Sequence, residues 1–150
     1  MDTLKPVKTY RMEQTCVPTA CLPLPSSYVA AAFSGEGGLS TVRLYDPALP
    51  QTAPLLELEV AMGPVNAMAS SYPSQHLFTA GFMLEQFDLE TAQRVSALDL
   101  DFCRVHIDET AQSVAVHKRV LAATCGDCVL LYDLRAPPLP VLSCRYLQCR

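Results

Sequence analysis

The chain has 150 residues, of which 50% are hydrophobic and 17% charged, with a formal net charge of −4 and a pI of about 5.2. This composition excludes an intrinsically disordered chain, which requires low hydrophobicity and high net charge. The acidic balance provides no positive field for nucleic acid or an anionic membrane, so neither is expected as a partner.

Residues 1–14 are expected to form an N-terminal extension. They contain basic side chains, but no apolar run of a signal peptide follows them. No stretch of the chain has the ~18 consecutive apolar residues of a transmembrane helix. The seven cysteines form no compact framework, which indicates reduced thiols. Together these features predict a protein of the cytoplasm, the nucleus or both.

Short runs of apolar or β-branched residues, bounded by Gly, Pro, Ser or Asp, predict three all-β units within residues 15–144. The units are expected at 15–54, 55–98 and 113–144, with an inserted loop or hairpin near 99–112 and a tail at 145–150. The clearest unit is the second, into which Leu55–Val60 leads. Its strands are predicted at Val65–Ala69, Leu77–Ala80, Leu84–Phe87 and Arg94–Leu98.

One short phrase recurs in all three units, as a strand that ends in an aromatic residue and an aspartate. The three copies are Thr41–Asp46, Met83–Asp88 and Cys128–Asp133. Their aspartates, at positions 46, 88 and 133, are 42 and 45 residues apart. A period of ~40–45 residues is that of one four-stranded propeller blade. The alternative is an antiparallel sandwich whose strands share their composition.

This phrase resembles the one that ends the third strand of each blade in the WD40-repeat family, where Tyr or Phe often replaces Trp. The residues that carry the resemblance are Tyr45, Asp46, Phe87, Asp88, Tyr132 and Asp133. The resemblance implies an all-β chain of three four-stranded antiparallel blades. Because propellers typically close with about 4–8 blades, the ring is expected to be incomplete. The chain has no tryptophan and no Gly-His pair, so the family's buried hydrogen-bond network is not carried over.

The resemblance implies a non-enzymatic scaffold or adaptor that binds other proteins, with no cofactor, and further blades supplied by another chain. Tyr132-Asp133-Leu134-Arg135 also resembles the Trp-Asp-x-Arg box by which some WD40 proteins dock onto the adaptor of cullin-4 ubiquitin ligases. This implies a substrate receptor in which Asp133 and Arg135 contact that adaptor. The alternative is that Arg135 is an exposed residue after a strand.

Two further hypotheses come from different classes of protein. Cys125, Cys128, Cys144 and Cys149 have a spacing that would allow four thiolates to hold zinc, in a small metal-binding domain or enzyme. The alternative is that Cys125 and Cys128 flank a hairpin turn. No catalytic motif is found among the histidines and serines, so no catalytic residue is predicted. The last hypothesis is a truncated isoform without a function of its own.

Overall fold

The structure is a computed structural model. It describes residues 16–49, 53–60, 63–98, 100, 109–136 and 140–145. The predicted extension at 1–14, most of the predicted insert near 99–112 and the tail beyond residue 145 lie outside the described residues.

The described residues form three four-stranded antiparallel sheets, here called blades 1, 2 and 3. Blade 1 contains β1 (Val17–Pro23), β2 (Val29–Ser34), β3 (Ser40–Tyr45) and β4 (Leu56–Val60), with a 3₁₀ turn at Glu36–Gly38. Blade 2 contains β5 (Ala67–Ser71), β6 (His76–Ala80), β7 (Leu84–Asp88) and β8 (Gln93–Leu98). Blade 3 contains β9 (Ala111–His117), β10 (Val120–Cys125), β11 (Cys128–Asp133) and β12 (Leu142–Arg145). The prediction of an all-β chain with three four-stranded antiparallel blades is confirmed. A membrane-spanning helix is absent from the described ranges.

The boundary between the first two units differs from the predicted one. The sequence assigns residues 55–60 to the second unit, whereas β4 pairs with β3 and completes blade 1. The cross-strand pair of Arg43 and Glu57 lies on that ladder, with Arg43 Nε donating to Glu57 Oε2 at 3.0 Å. The period of the repeated phrase fixes the spacing of the blades, but it does not say which sheet an intervening strand joins.

The strands of each blade follow in chain order, and β1, β5 and β9 lie side by side where the blades meet. One core fills the space between blades 1 and 2, with Val42, Leu58 and Phe87 among its members. A second core fills the space between blades 2 and 3, with Leu84 and Tyr132 among its members. Blade 2 therefore presents one face to blade 1 and the other to blade 3.

The repeated phrase encodes both faces, because successive side chains of a strand point in opposite directions. In blade 2, Leu84 packs in the core shared with blade 3, whereas Phe87 packs in the core shared with blade 1. In blade 3, Leu130 and Tyr132 face blade 2. The second and fourth positions of the phrase thus point to the next blade, and the third and fifth point to the preceding one.

Side-chain hydrogen bonds join neighbouring blades at one end. Asn66, which precedes β5, donates through Nδ2 to Thr110 Oγ1 at 3.0 Å and to the carbonyl of Ala111 at 2.9 Å, so it connects blades 2 and 3. The N–H of Ala111 donates to the carbonyl of Gly81 at 2.7 Å. Gly81 has no room for a side chain, because an added Cβ would lie 2.5 Å from the carbonyl oxygen of Pro64.

Two buried hydroxyls give a test of this packing. Ser40 is 2% exposed and its Oγ donates to the carbonyl of Gly63 at 2.7 Å. Thr79 is 1% exposed, and its Oγ1 has no hydrogen-bond partner among the described residues. We expect Thr79→Val to raise the free energy of unfolding by about 1 kcal/mol, because it removes an unsatisfied buried oxygen at constant shape. We expect Ser40→Ala to lower it by about 1 kcal/mol. Urea unfolding of both variants measures this, and destabilisation by Thr79→Val would contradict the assignment.

Candidate interaction surface

The three aspartates of the repeated phrase occupy equivalent positions, where the third strand of each blade ends. In each copy, Oδ1 accepts a hydrogen bond from the backbone N–H two residues further along the chain, as in an Asx turn. The distances are 2.8 Å from Ala48 to Asp46, 2.8 Å from Glu90 to Asp88 and 3.0 Å from Arg135 to Asp133. These aspartates therefore close the turns that lie together at one end of the blades.

The aromatic residue that precedes each aspartate is buried. Tyr45 is 5% exposed, whereas Phe87 and Tyr132 are each 2% exposed. Phe87 and Tyr132 pack against the preceding blade, and alternation along β3 places Tyr45 on the face of blade 1 that points away from blade 2. Of the six residues of the predicted signature, Phe87 and Tyr132 therefore pack between blades and the three aspartates close turns, whereas Tyr45 is buried on the outward face of blade 1.

Asp133 and Arg135 form a forked ion pair at the end of blade 3. Arg135 Nε donates to Oδ1 of Asp133 at 2.8 Å, and Nη2 donates to Oδ2. The side chain of Arg135 is 62% exposed and that of Asp133 is 26% exposed. The hydrogen bonds from Arg135, together with the charge of nearby Arg119, hold the pKa of Asp133 well below its usual range. The predicted docking residues therefore contact each other on the surface.

Two grooves open between blades at the same end as the aspartates. The groove between blades 1 and 2 has a volume of about 500 Å³, with Leu24, Leu44 and Leu89 among its lining residues and the tyrosines Tyr28 and Tyr72 at its wall. The groove between blades 2 and 3 has a volume of about 200 Å³. It is lined by Gln86, Val95, Ser96, Leu98, Tyr132, Asp133, Leu134 and Ala136. This end of the blades is the candidate interaction surface.

The structure also adds residues that the sequence interpretation did not select. Lys118 and Arg119 form the turn between β9 and β10. The carbonyl of Arg119 accepts a hydrogen bond from the N–H of Leu134 at 2.9 Å, which brings this turn beside Asp133. The sequence shows two adjacent basic residues in a turn, but their distance from position 133 along the chain hides the contact.

The cysteines of the zinc hypothesis do not converge. Cys125 and Cys128 are paired across the β10–β11 hairpin, are 0% and 4% exposed, and belong to the core between blades 2 and 3. Cys144 is exposed and pairs with Val129, whose side chain points to the opposite face of blade 3. Cys149 lies outside the described residues. Among the residues that the structure describes, no group of three or more His, Cys, Asp or Glu side chains is placed to hold a metal ion.

The fold is shared with solved β-propellers. No protein-family model matches the sequence, and no curated protein matches it. The described fold is similar to the RRP9 WD40 repeats and to U3-55K, each with a TM-score of 0.70 and 13% identity over 94% of this chain and 42% of the other. It is also similar to the β-propeller domain of Cps50 (Swd1) of Myceliophteria thermophila, with a TM-score of 0.63 and 17% identity over 89% of this chain and 40% of that one.

These likenesses define the class of fold, which is a WD40-type β-propeller segment, and confirm the resemblance found in the sequence. The chain spans about two fifths of the length of the solved propellers that it matches, at 40–42%. The fold class does not by itself define a function, because function depends on the sites that a fold carries.

The Asp133–Arg135 pair predicts an acid-sensitive contribution to stability. Because the pKa of Asp133 is lowered in the folded state, its contribution is complete above the unfolded-state pKa of about 4 and is lost as the pH falls towards the folded-state pKa. We expect Asp133→Asn to lower the urea midpoint at pH 7 and to make the decline below pH ~4 shallower. Glu36→Gln, in the exposed 3₁₀ turn, is the control and should leave the profile unchanged. Parallel pH profiles for the wild type and Asp133→Asn would disprove this role.

Proposed function

We propose that this chain is a non-enzymatic protein-interaction scaffold, and that its three blades are completed into a propeller by further blades from another chain. One comparison within the molecule carries the proposal. Val42, Leu84 and Val129 occupy the same position of the repeated phrase, and they are 0%, 1% and 45% exposed. The first two are covered by the next blade, whereas Val129 lies on the outward face of blade 3. The location predicted for such a scaffold is the cytoplasm, the nucleus or both.

The outward face of blade 3 is apolar beyond this one residue. Val120 is 48% exposed, and Ala122, Val129 and Leu131 share its face through the pairing of β10 and β11. The side chains at the matching positions of blade 1, Val42 and Leu44, are buried in the core shared with blade 2. Exposed apolar sheet faces of this kind are characteristic of surfaces that another element covers. A further blade is the element that the fold itself uses for this purpose.

The opposite face of blade 1 supports the same proposal. Arg43 pairs with Glu57 on this face, and its guanidinium lies 5.5 Å from the centre of the Phe33 ring. Hydrogen bonding to Glu57 raises the pKa of Arg43 above its usual value. In blade 2 the matching position of the phrase is Glu85, which pairs with Arg94 at 2.9 Å and is 1% exposed. The fold thus accommodates a buried carboxylate, paired with a half-exposed arginine, on the face of blade 2 that points to blade 1.

Solution mass, measured by light scattering together with circular dichroism, tests the completion of the propeller. We expect the purified chain to be β-rich and to associate into species of two or more chains. Val129→Glu should reduce this association at least tenfold, because it places a charge in an apolar interface. Leu39→Glu is the matched control, since Leu39 is 68% exposed in the β2–β3 turn. A folded wild-type monomer would contradict the proposal.

We further propose that Asp133 and Arg135 dock onto the adaptor of a cullin-4 ubiquitin ligase, as the four-residue box implies. The support is that Arg135 lies exposed at the end of blade 3, with its guanidinium orientated by Asp133. Arg135→Ala should weaken binding to the purified adaptor by roughly tenfold or more, as for the loss of a charge-assisted fork. Arg135→Lys should restore little of it, because an ammonium group cannot make the fork. Unchanged binding by Arg135→Ala, or no binding by the wild type, would refute this docking.

A further inference from the structure

Three basic residues lie at the end of blade 3, in two neighbouring turns. Lys118 and Arg119 form the β9–β10 turn, and Arg135 follows β11. The hydrogen bond from the N–H of Leu134 to the carbonyl of Arg119, at 2.9 Å, fixes one turn against the other. All three side chains are exposed. We call Lys118, Arg119 and Arg135 the basic rim.

The basic rim carries a local excess of positive charge. Asp133 is the carboxylate between the turns, and its charge offsets that of Arg135, with which it forms the forked ion pair. Lys118 and Arg119 are exposed and form no salt bridge within the described part of the chain, although the charge of Arg119 also acts on Asp133. The whole chain, in contrast, has a net charge of −4. The charge of this local group, with three cations and one carboxylate, is therefore opposite in sign to the net charge of the chain.

A recess lined by both polar and apolar side chains adjoins the basic rim. It is the groove of about 200 Å³ between blades 2 and 3, whose lining includes Val95, Leu98 and Leu134. Val95 is 53% exposed and lies where the register between β7 and β8 shifts, so its side chain is presented to solvent. Asp133 and Leu134 belong both to this lining and to the turn that carries Arg135. The basic rim and the recess therefore form one continuous surface, which offers both charged and apolar side chains.

We propose that the basic rim binds an acidic segment of a partner protein, which places carboxylates on Lys118 and Arg119 and an apolar side chain in the recess beside Leu134. This inference rests on the proposed scaffold role and names the chemistry of one partner. A partner segment in which acidic and apolar side chains alternate can place the first on the rim and the second in the recess. The attraction between opposite charges accelerates association and fixes the register of the bound segment.

A polypeptide fits this surface better than a nucleic acid does. Binding of single strands uses aromatic platforms on which bases stack. The aromatic side chain in the lining of this recess is Tyr132, which is 2% exposed and packs in the core between blades 2 and 3. The net charge of −4 also opposes the approach of a long polyanion, whereas a short acidic segment interacts mainly with the nearby cations.

Fluorescence anisotropy with the purified full chain tests the proposal. The probe is a labelled peptide of alternating Glu and Leu, compared with a Gln–Leu peptide and with a single-stranded RNA. We expect the Glu–Leu peptide to bind, the Gln–Leu peptide to bind at least tenfold more weakly, and the affinity to fall with added salt. Lys118→Gln/Arg119→Gln should reduce binding about five- to tenfold, since two exposed charge contacts are lost.

Leu39→Glu/Gln112→Glu is the matched control. It changes the net charge by the same amount, at exposed positions away from the basic rim, and should leave binding within about twofold of the wild type. Circular dichroism establishes that both double variants fold. Equal peptide binding by the two double variants, preference for the RNA, or no peptide binding by the wild type would overturn the proposal.

The result of the peptide-binding test can be distinguished from the result of the chain-association test. Val129→Glu alters the outward face of blade 3 and leaves the basic rim intact, so this variant should keep its affinity for the Glu–Leu peptide even where it fails to associate. Failure of chain association would therefore contradict propeller completion without affecting the rim. Loss of peptide binding in Val129→Glu alone would show that the rim depends on association and would overturn the site as proposed here.

Discussion

The structure depends on one constraint. A four-stranded sheet with apolar side chains on both faces needs a neighbouring element packed against each face. In this chain the repeated strand phrase meets that constraint by sending Leu84 towards the next blade and Phe87 towards the preceding one. Burial of such side chains contributes roughly 1.5–3 kcal/mol each, so the stacking of blades supplies much of the driving force for folding. Hydrogen bonds such as those of Asn66 then fix the angle at which one blade meets its neighbour.

The fold was predictable from the sequence wherever the determinants are local. The alternation within each strand and the aspartate that closes the following turn act over a few residues, and the recurrence of this local phrase after 42 and 45 residues identified the three blades. The sheet that β4 joins was not predictable. β4 pairs with β3, for example at Glu57 and Arg43, and no local sequence pattern shows whether a strand between two units belongs to the first or to the second sheet. Glu85 was equally hidden, since a glutamate in a strand suggests solvent, whereas Arg94 and blade 1 enclose this one.

The candidate surface was predictable only in part, for the same reason. The position of Arg135 follows from its place two residues after a strand-ending aspartate. Its association with Lys118 and Arg119 depends on antiparallel pairing of β10 with both β9 and β11, which brings alternate turns to one end of the sheet. Asp133 then serves two purposes, because it closes its own turn and also orientates the guanidinium of Arg135. A structural signature residue is thereby also part of the candidate interaction surface.

The repeated phrase places different side chains on the two faces of a blade, so the face towards the preceding blade differs from the face towards the next. Blades 1 and 3 carry the aromatic side chain of the phrase on one face and an aliphatic pair on the other, whereas in blade 2 the pair is Leu84 and Gln86, so the two faces of a blade are different surfaces. In the propeller completion proposed above, the outward face of blade 3 would meet the outward face of a different blade, which is a head-to-tail contact and not the pairing of one face with itself that a two-fold dimer makes. Head-to-tail contacts either close into a ring or continue as an open filament. In such an assembly, the rotation between blades, to which the hydrogen bonds of Asn66 and the tight contact at Gly81 contribute, would determine whether a closed ring or an open filament forms.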